Sequence, residues 1–417
     1  MKIYKFGGAS VKDADGVKNL LKILKEVGYD ETLIIISAMG KMTNAFERIT
    51  SSYHNKDKDL SNNIETVIAF HKEIIDELFI NLKTEVLAEI ELIFDDILFF
   101  IENNDSKDYN YIYDQIVSKA ELISTKICSY YLSENGIVNN WMDARKCIKT
   151  NSDYRRAAVD WEKTSELIKE HVNGSSLNIT QGFIASDQKN NTTTLGREGS
   201  DYTAGIFAYC LDAEKTIIFK DVAGVLNADP RNFDDTTLLN QISYREAIEM
   251  AFYGASVIHP KTLQPLQRKE IPLFVKSFKD PGNEGTIVCK GISLKPKTPC
   301  FIVKKDQILL SISAKDFSFI MEDDISEIFD FFHQYKLKVN LIQNSAISFS
   351  VCLEDNFNNF NNLYEKLKLN YLCLYNKNVS LFTIRHFTAT SILKIEKNKE
   401  VLVKQLSRET VQIVVKN

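Results

Sequence analysis

The first forty residues hold the pattern that narrows the fold most. Lys2–Phe6 reads as a short strand that stops at Gly7-Gly8. Val17, Leu20, Leu21, Leu24 and Val27 then recur at helical spacing, and Gly28 stands where such a helix would end. Glu31–Ser37 (ETLIIIS) is an almost unbroken apolar run, as in a strand covered on both faces. Strand, helix and strand in that order form a βαβ unit, which commits the chain to a parallel sheet with helices packed on it.

At 417 residues the chain has material for two or three domains, each able to bury a core. Its 51 basic and 56 acidic side chains leave a net charge of −5, the wrong sign for a face that neutralises nucleic-acid phosphates. The best apolar run, Leu33–Ala38, is strand length and far short of a membrane helix, so no membrane partner is expected. The start reaches Gly7-Gly8 before an apolar stretch of signal-peptide length could form, and a cytoplasmic location is expected. Seven cysteines, an odd number without a C-x-x-C pair, fit neither a disulfide framework nor a zinc site. Lysine outnumbers arginine 41 to 10, so each arginine invites individual reading.

Residues 61–105 carry helical periodicity and read as an insertion beside the sheet; a further helix is expected over Tyr111–Leu132. A second α/β stretch has strand candidates Leu177–Ala185, Thr216–Lys220 and Pro272–Ser277, with helices starting at Ser200, at Ser243 and after His259. Ser243 and Glu246 form a capping-box pattern, and Pro260 sits where a first helical residue would. Three of the seven prolines fall between 280 and 300, which marks a linker, taken as 291–300. Beyond it, Ile308–Ser313, Ile325–Tyr335, Lys338–Ile342, Ser345–Leu353, Phe357–Leu367 and Leu372–Tyr375 follow a β-α-β-β-α-β order, which is ferredoxin-like. Asn378–His386 opens a second copy (377–417) too short for both helices.

Several turns could carry chemistry. Lys5-Phe-Gly-Gly8 places a lysine at a strand's carboxyl end against backbone free to cradle phosphate, although no Walker A loop occurs. Ser37-Ala-Met-Gly-Lys-Met-Thr43 is a second strand-to-loop junction rich in hydroxyls. Thr194-Leu-Gly-Arg-Glu-Gly-Ser-Asp201 leads an arginine flanked by glycines into a helix N-terminus; capping explains Ser200 and Asp201 but leaves Arg197 unaccounted for. Lys220–Arg231 supplies Asp221, Gly224, Asp229 and Arg231 after a strand, and reads equally as an ordinary hairpin loop. Glu121 alone reads as a solvated helix face, and His259 as a structural histidine.

In combination and order these motifs, with Tyr253-Gly-Ala-Ser-Val-Ile-His-Pro260, closely resemble the aspartokinases over essentially the whole chain. The resemblance implies a three-layer αβα amino-acid kinase domain over 1–290 with a mainly parallel central sheet. It implies a C-terminal α+β region of ferredoxin-like ACT modules over 301–417, the first over 301–376 and the second truncated. The implied reaction is transfer of the γ-phosphoryl group of ATP to the β-carboxylate of L-aspartate, at the head of lysine, threonine and methionine synthesis, with Mg²⁺ arriving on the nucleotide and no dedicated protein metal site. By the same resemblance Lys5 reaches the transferring phosphoryl group and Asp201 holds that lysine. Arg197 binds the substrate carboxylate, Glu121 receives the α-amino group, and Ser37, Thr43 and Ser200 line the aspartate pocket. Lys5, Gly7, Gly8, Lys220, Asp221, Gly224, Leu226, Arg231 and Ser256 fall on the nucleotide side. Homodimerisation through the ACT region is implied as well.

Three departures from the family pattern stand out: Glu198 where many relatives have glycine, Ser256 where a nucleotide-contacting lysine is frequent unless Lys261 substitutes, and a shortened ACT region. Asn340 holds a position often acidic in lysine-sensing relatives, so feedback inhibition is not expected. The length leaves no room for a fused homoserine dehydrogenase. Competing readings are a glutamate or acetylglutamate kinase, against which the ACT tail and the Glu121/Arg197 pair stand, and a catalytically silent paralogue acting as a regulatory subunit.

Overall fold

The structure is a computed structural model and describes all residues except Ser175, Ser256, Val257, Phe317 and Asn417. The chain forms two compact units: the first comprises Met1–Val225, Leu238–Ile248 and 257–295, the second Leu226–Thr237, 249–256 and the chain from Pro296 on.

The first unit opens with β1 (Lys2–Phe6), α1 (Ala14–Val27) and β2 (Thr32–Ile36), the βαβ unit foreseen. Asp13 caps α1 by accepting from Gly16 N–H, and Gly28 ends it. The expected 61–105 insertion is a pair of long helices, so that α2 (Met42–Asn55) is followed by α3 (Leu60–Leu78) and α4 (Lys83–Asn103). Next come α5 (Tyr109–Val117), α6 (Lys119–Glu134), β3 (Asn139–Met142), α7 (Ala144–Cys147), α8 (Trp161–His171), β4 (Leu177–Gln181) and the short hairpin β5 (Ile184–Ser186) and β6 (Thr192–Thr194). The chain continues through α9 (Gly199–Cys210), β7 (Lys215–Lys220), β8 (Gln241–Ser243), α10 (Tyr244–Tyr253), α11 (Pro260–Arg268), β9 (Leu273–Ser277) and β10 (Thr286–Cys289).

The main sheet runs β3-β4-β2-β1-β7-β9-β10-β8, parallel throughout except where β10 meets β9. Every residue of β2 is buried, as its apolar run required. From β1 the chain crosses to β2 on one side, while β7 closes on the other, in register Lys5↔Ile35 and Lys5↔Ile218. That reversal of strand order opens a crevice at the carboxyl ends of β1, β2, β4 and β7, the place where open α/β sheets bind ligands.

Two expected elements are divided. The helix over Tyr111–Leu132 breaks at Ser118 into α5 and α6, which puts Glu121 in the first turn of a new helix. The strand Leu177–Ala185 ends at Gln181, because Phe183 takes a left-handed φ of 73° and the chain turns into the β5–β6 hairpin, outside the main sheet. Gly182 makes the turn possible: a Cβ there would lie 2.5 Å from Ser200 Cβ and 2.7 Å from Ser200 Cα. Phe183 N–H then donates to Thr203 Oγ1 at 2.9 Å, which fixes the start of α9 against the end of β4.

The second unit is a six-stranded antiparallel sheet ordered β12-β13-β11-β14-β16-β15. Its strands are β11 (Cys300–Ala314), β12 (Lys338–Asn344), β13 (Ser348–Glu354), β14 (Tyr371–Arg385), β15 (Val401–Leu406) and β16 (Thr410–Lys416), with helices α12 (Glu322–Gln334), α13 (Phe360–Leu367) and α14 (Ala389–Glu396). Leu372–Tyr375 and Asn378–His386, expected as separate strands, are one continuous β14. The second ACT copy has a single helix, α14, and gains the upstream half of β11, since Cys300–Lys304 pairs with Leu381–Arg385. Leu226–Thr237 belongs to this unit, with Phe301 N–H donating to Asn227 O at 2.7 Å and Phe233 ringed by Phe301 and Phe382. Asn340 is engaged internally: it accepts from Lys304 Nζ at 2.7 Å and donates to Gln307 Oε1 and Glu354 Oε2.

Replacing Gly182 with alanine pushes a methyl into the first turn of α9, and overpacking against backbone costs about 1–3 kcal/mol. Gly182→Ala is therefore expected to melt several degrees below wild type, while Gly174→Ala, whose Cβ meets nothing within 4 Å, melts unchanged. Thermal unfolding of the two variants side by side checks this; equal melting temperatures would remove the close approach as a constraint.

Candidate active site

Lys5 is the penultimate residue of β1 and Lys220 the last of β7, so two adjacent parallel strands deliver two ammonium groups to one place. Between them stands Asp201, in the first turn of α9. Lys5 Nζ lies 2.6 Å from one carboxylate oxygen and Lys220 Nζ 3.1 Å from the other. Burial alone would raise Asp201, but the two ammoniums outweigh it and hold the carboxyl at about 2. Burial works to lower Lys220, and the Asp201 and Glu198 charges reverse it, leaving Lys220 above the ordinary lysine value.

These groups line a cavity of about 890 Å³. Its wall also holds Gly8, Ser37, Thr43, Glu121, Arg197 and Ser200. Nine of the expected site residues, Lys5, Asp201 and Lys220 among them, thus converge from segments spread over more than 200 positions. Gly8 sits close under the β2 loop, where a Cβ would stand 2.6 Å from Ala38 O. Gly7 adjoins the Lys5 ammonium, at 3.4 Å from its would-be Cβ.

Glu121 does not occupy the solvated helix face that its sequence alone suggested. It is 2 % exposed, and its Oε2 has no hydrogen-bond partner among the described residues. Burial raises its carboxyl to about 8, against the opposing pull of a hydrogen bond from the Ala38 backbone. A buried acid with an open acceptor beside a cavity is chemically suited to a cationic partner.

Glu198 adopts a left-handed φ of 53° immediately before α9. That backbone position suits glycine, and here its carboxylate lines the cavity within the field of Lys220 instead of facing away. His259 caps α11 by accepting from Lys261 N–H at 3.2 Å, the structural part read from sequence.

The remaining nucleotide-side residues are distributed differently. Asp221 is exposed just beyond β7. Gly224 is packed, its would-be Cβ 2.5 Å from Thr286 Oγ1. Leu226 and Arg231 belong to the second unit, where Arg231 pairs with Asp229 at 2.6 Å. Ser256 lies outside the described residues. Among the described residues no group of three or more acidic, histidine or cysteine side chains could hold a metal ion.

Sequence reasoning missed Arg155, Arg156, Tyr113, Tyr154 and Asn110, all in the cavity wall. Arg155 takes φ 67° and lays its guanidinium 4.3 Å from the Tyr113 ring centroid. The scarcity of arginine was the available signal: three of the ten, Arg155, Arg156 and Arg197, line this one cavity. Asp114, buried on α5, was missed too; burial raises its carboxyl to about 6 against donors from Arg155 and Thr194.

A lysine-lined crevice at the switch point of an open parallel sheet, with a buried carboxyl and an arginine in the same wall, has the form of a small-molecule phosphotransferase site. The amino acid kinase family model matches residues 1–277. Lysine-sensitive aspartokinase 3 of Escherichia coli is 32% identical over 350 residues, covering 83% of this chain and 76% of that protein. The solved structure of E. coli aspartokinase III in complex with aspartate and ADP superposes with a TM-score of 0.82 at 26% identity, covering 100% of this chain and 96% of that one. The bifunctional aspartokinase/homoserine dehydrogenase of Daucus carota is 28% identical over 69% of this chain, which spans 32% of that longer protein. The chain belongs to the amino acid kinase family and, within it, to the aspartokinases.

The Glu121 carboxyl carries a stability signature of its own. Its folded value, about 8, lies above the ordinary 4.5, so between those pH values the folded protein keeps a proton that the unfolded chain releases. Stability from this group is complete below about pH 4.5 and lost as pH rises through 8. Ligand-free Glu121→Gln is therefore expected to gain stability over wild type progressively from pH 5 to 8.5, by on the order of 2–4 kcal/mol at the upper end. Denaturant titrations across that range measure it; a pH-independent difference would mean that Glu121 is ionised in the empty pocket.

Proposed function

We propose that this chain is an aspartate kinase, transferring the γ-phosphoryl group of ATP to the β-carboxylate of L-aspartate and releasing ADP and 4-phospho-L-aspartate. The observation that carries the reading is the buried Lys5–Asp201–Lys220 group in one cavity with Glu121 and Arg197. One β-carboxylate oxygen attacks the γ-phosphorus, an O–P bond forms, and the bond to the β,γ-bridging oxygen breaks so that its electron pair leaves on ADP. The nucleophile is already ionised at neutral pH, so no general base is required. The barrier is the approach of one anion to another, and catalysis is positioning and charge neutralisation.

In this reading Lys5 stabilises the transferring phosphoryl group, Asp201 fixes its ammonium, and Lys220 adds positive charge on the nucleotide side. The Gly7-Gly8 turn lets backbone approach the phosphates, with Asp221 at the edge of that region. Arg197 binds the α-carboxylate, Glu121 the α-ammonium, and Ser37, Thr43 and Ser200 border the aspartate. Mg²⁺ accompanies the nucleotide and supplies charge neutralisation on the phosphates. In this reading the phosphates carry the metal, since the Asp201 carboxylate is engaged by two lysines.

The second unit is assigned a homodimeric contact, and its internally bonded Asn340 accords with an enzyme that lysine does not inhibit. No described helix is long and apolar enough to cross a membrane, and a cytoplasmic location is part of the proposal.

Purified protein with Mg-ATP, hydroxylamine and L-aspartate is expected to yield aspartyl hydroxamate, with little product from L-glutamate. Lys5→Ala should lower kcat by at least about 10³-fold, the scale of a lost transition-state charge contact. Arg197→Ala should raise KM for aspartate about 10²-fold with a far smaller change for ATP. Near-normal kcat in the lysine variant, or equal effects on both KM values in the arginine variant, would overturn the assigned roles. A second consequence follows from Glu121. Binding an ammonium ionises it, so aspartate binding near pH 7 should release a proton, visible as buffer-dependent binding enthalpy that Glu121→Gln abolishes.

A further inference from the structure

Asp114 is fully buried in α5, yet it does not line the cavity. It accepts three hydrogen bonds from two separate segments. Thr194, at the end of β6, donates its backbone N–H to Oδ2 at 2.9 Å and its hydroxyl to Oδ1 at 2.7 Å. Arg155, in the loop before α8, donates its backbone N–H to the same Oδ2 at 2.9 Å. Both segments lead directly to guanidiniums in the cavity wall, Arg197 three residues beyond Thr194 and Arg155 with Arg156 in the other loop. The two are pressed together elsewhere as well. Ala157 N–H donates to Thr194 O at 3.1 Å, and Gly196, at φ 79°, leaves only 3.1 Å between its would-be Cβ and Arg155 O.

We propose that Asp114 is a positioning residue for recognition of the amino-acid substrate's carboxylate: its buried side chain ties the Arg155–Arg156 loop to the segment carrying Arg197, so that three guanidiniums stand as one set at the cavity mouth. The inference rests on the aspartate kinase reading. Exposed arginine side chains are mobile, and a forked guanidinium holds a carboxylate well only when its backbone is fixed. Arg155 sits in a left-handed conformation that costs a non-glycine residue energy and persists only where surrounding bonds impose it. Asp114 supplies the bond to that N–H, and the Tyr113 ring, whose hydroxyl donates to Glu47 Oε1 at 2.7 Å, supports the guanidinium. A buried carboxylate spent on three local donors brings little net stability, and its use is geometric.

The test is steady-state kinetics of the full chain carrying Asp114→Ala, Asp114→Asn or Thr194→Val, with melting temperatures and circular dichroism taken alongside. Asp114→Ala is expected to raise KM for aspartate by about 30–100-fold, with KM for ATP and kcat within about threefold of wild type. Asp114→Asn should recover to within about fivefold, because one amide oxygen still accepts both backbone N–H groups and the NH₂ can donate to the Thr194 hydroxyl. Thr194→Val, which removes one bond of the three, should raise KM for aspartate by about 3–10-fold and decides the matter if the alanine variant does not fold. An unchanged aspartate KM in a folded Asp114→Ala or in Thr194→Val, or equal rises for aspartate and ATP, would overturn the proposal. A wild-type protein that forms no aspartyl hydroxamate would instead overturn the kinase reading itself, so the two failures are distinguishable.

Discussion

Three side chains at the carboxyl edge of the parallel sheet, Lys5, Asp201 and Lys220, set the conditions for everything around them. Two ammoniums share one carboxylate, at 2.6 and 3.1 Å, and the group keeps a net positive charge in a largely buried place. Taking such charges from water costs several kcal/mol per ion, and an ion pair of this kind is weak as a source of stability. The surplus charge makes sense as a standing receptor for an anion. The fold is arranged to hold it: β1 and β7 are neighbours in register, so their lysines emerge side by side, and α9 begins where its first turn delivers Asp201. The tight turn at Gly182 and Phe183 brings that helix start up against the end of β4.

The opposite environment lies in the same cavity. Asp201 is held near 2 by cations that overcome its burial, while Glu121, buried without a cation, is raised to about 8. Two carboxylates whose environments drive their proton affinities apart take different parts. Asp201 stays charged to orient a lysine. In the proposed reading Glu121 is neutral in the empty pocket and gains its charge when the substrate ammonium arrives. The proposed zwitterionic dicarboxylate substrate would meet both ends of this polarity, its ammonium at one carboxyl and its reactive carboxylate towards the lysines.

The scaffold was legible in sequence wherever burial and period agreed. β1, α1 and β2 lie where their apolar spacing put them, and the 61–105 insertion is helical throughout most of its length. What failed was local. Leu177–Ala185 looks like one apolar strand, yet the close approach of Ser200 at Gly182 ends it, a constraint from residues eighteen positions away. Tyr111–Leu132 has the apolar content of one helix, and only the break at Ser118 gives Glu121 its place in a new helix start. The site was half legible. Motifs flanked by glycine announced Lys5, Arg197 and Asp201. Arg155, Arg156 and Asp114 sit in segments without such punctuation, and their bearing on the cavity arises only when the loop before α8 folds onto β6.

The choice of cation carries the last point. This chain uses lysine four times as often as arginine, and among the described residues many of its ion pairs are exposed lysine pairs, worth little individually. At the end of the cavity assigned to the phosphoryl group it again uses lysines, Lys5 and Lys220, compact charges suited to a group whose position shifts during transfer. At the mouth it uses three of its ten arginines. Lysine would supply the same charge there. What arginine adds is a planar fork that matches a carboxylate with two parallel hydrogen bonds, and such a fork selects its ligand only if it is held still. A shared buried anchor beneath two arginine-bearing segments is what that requirement demands, and Asp114, with its three accepted bonds, is the group placed to meet it.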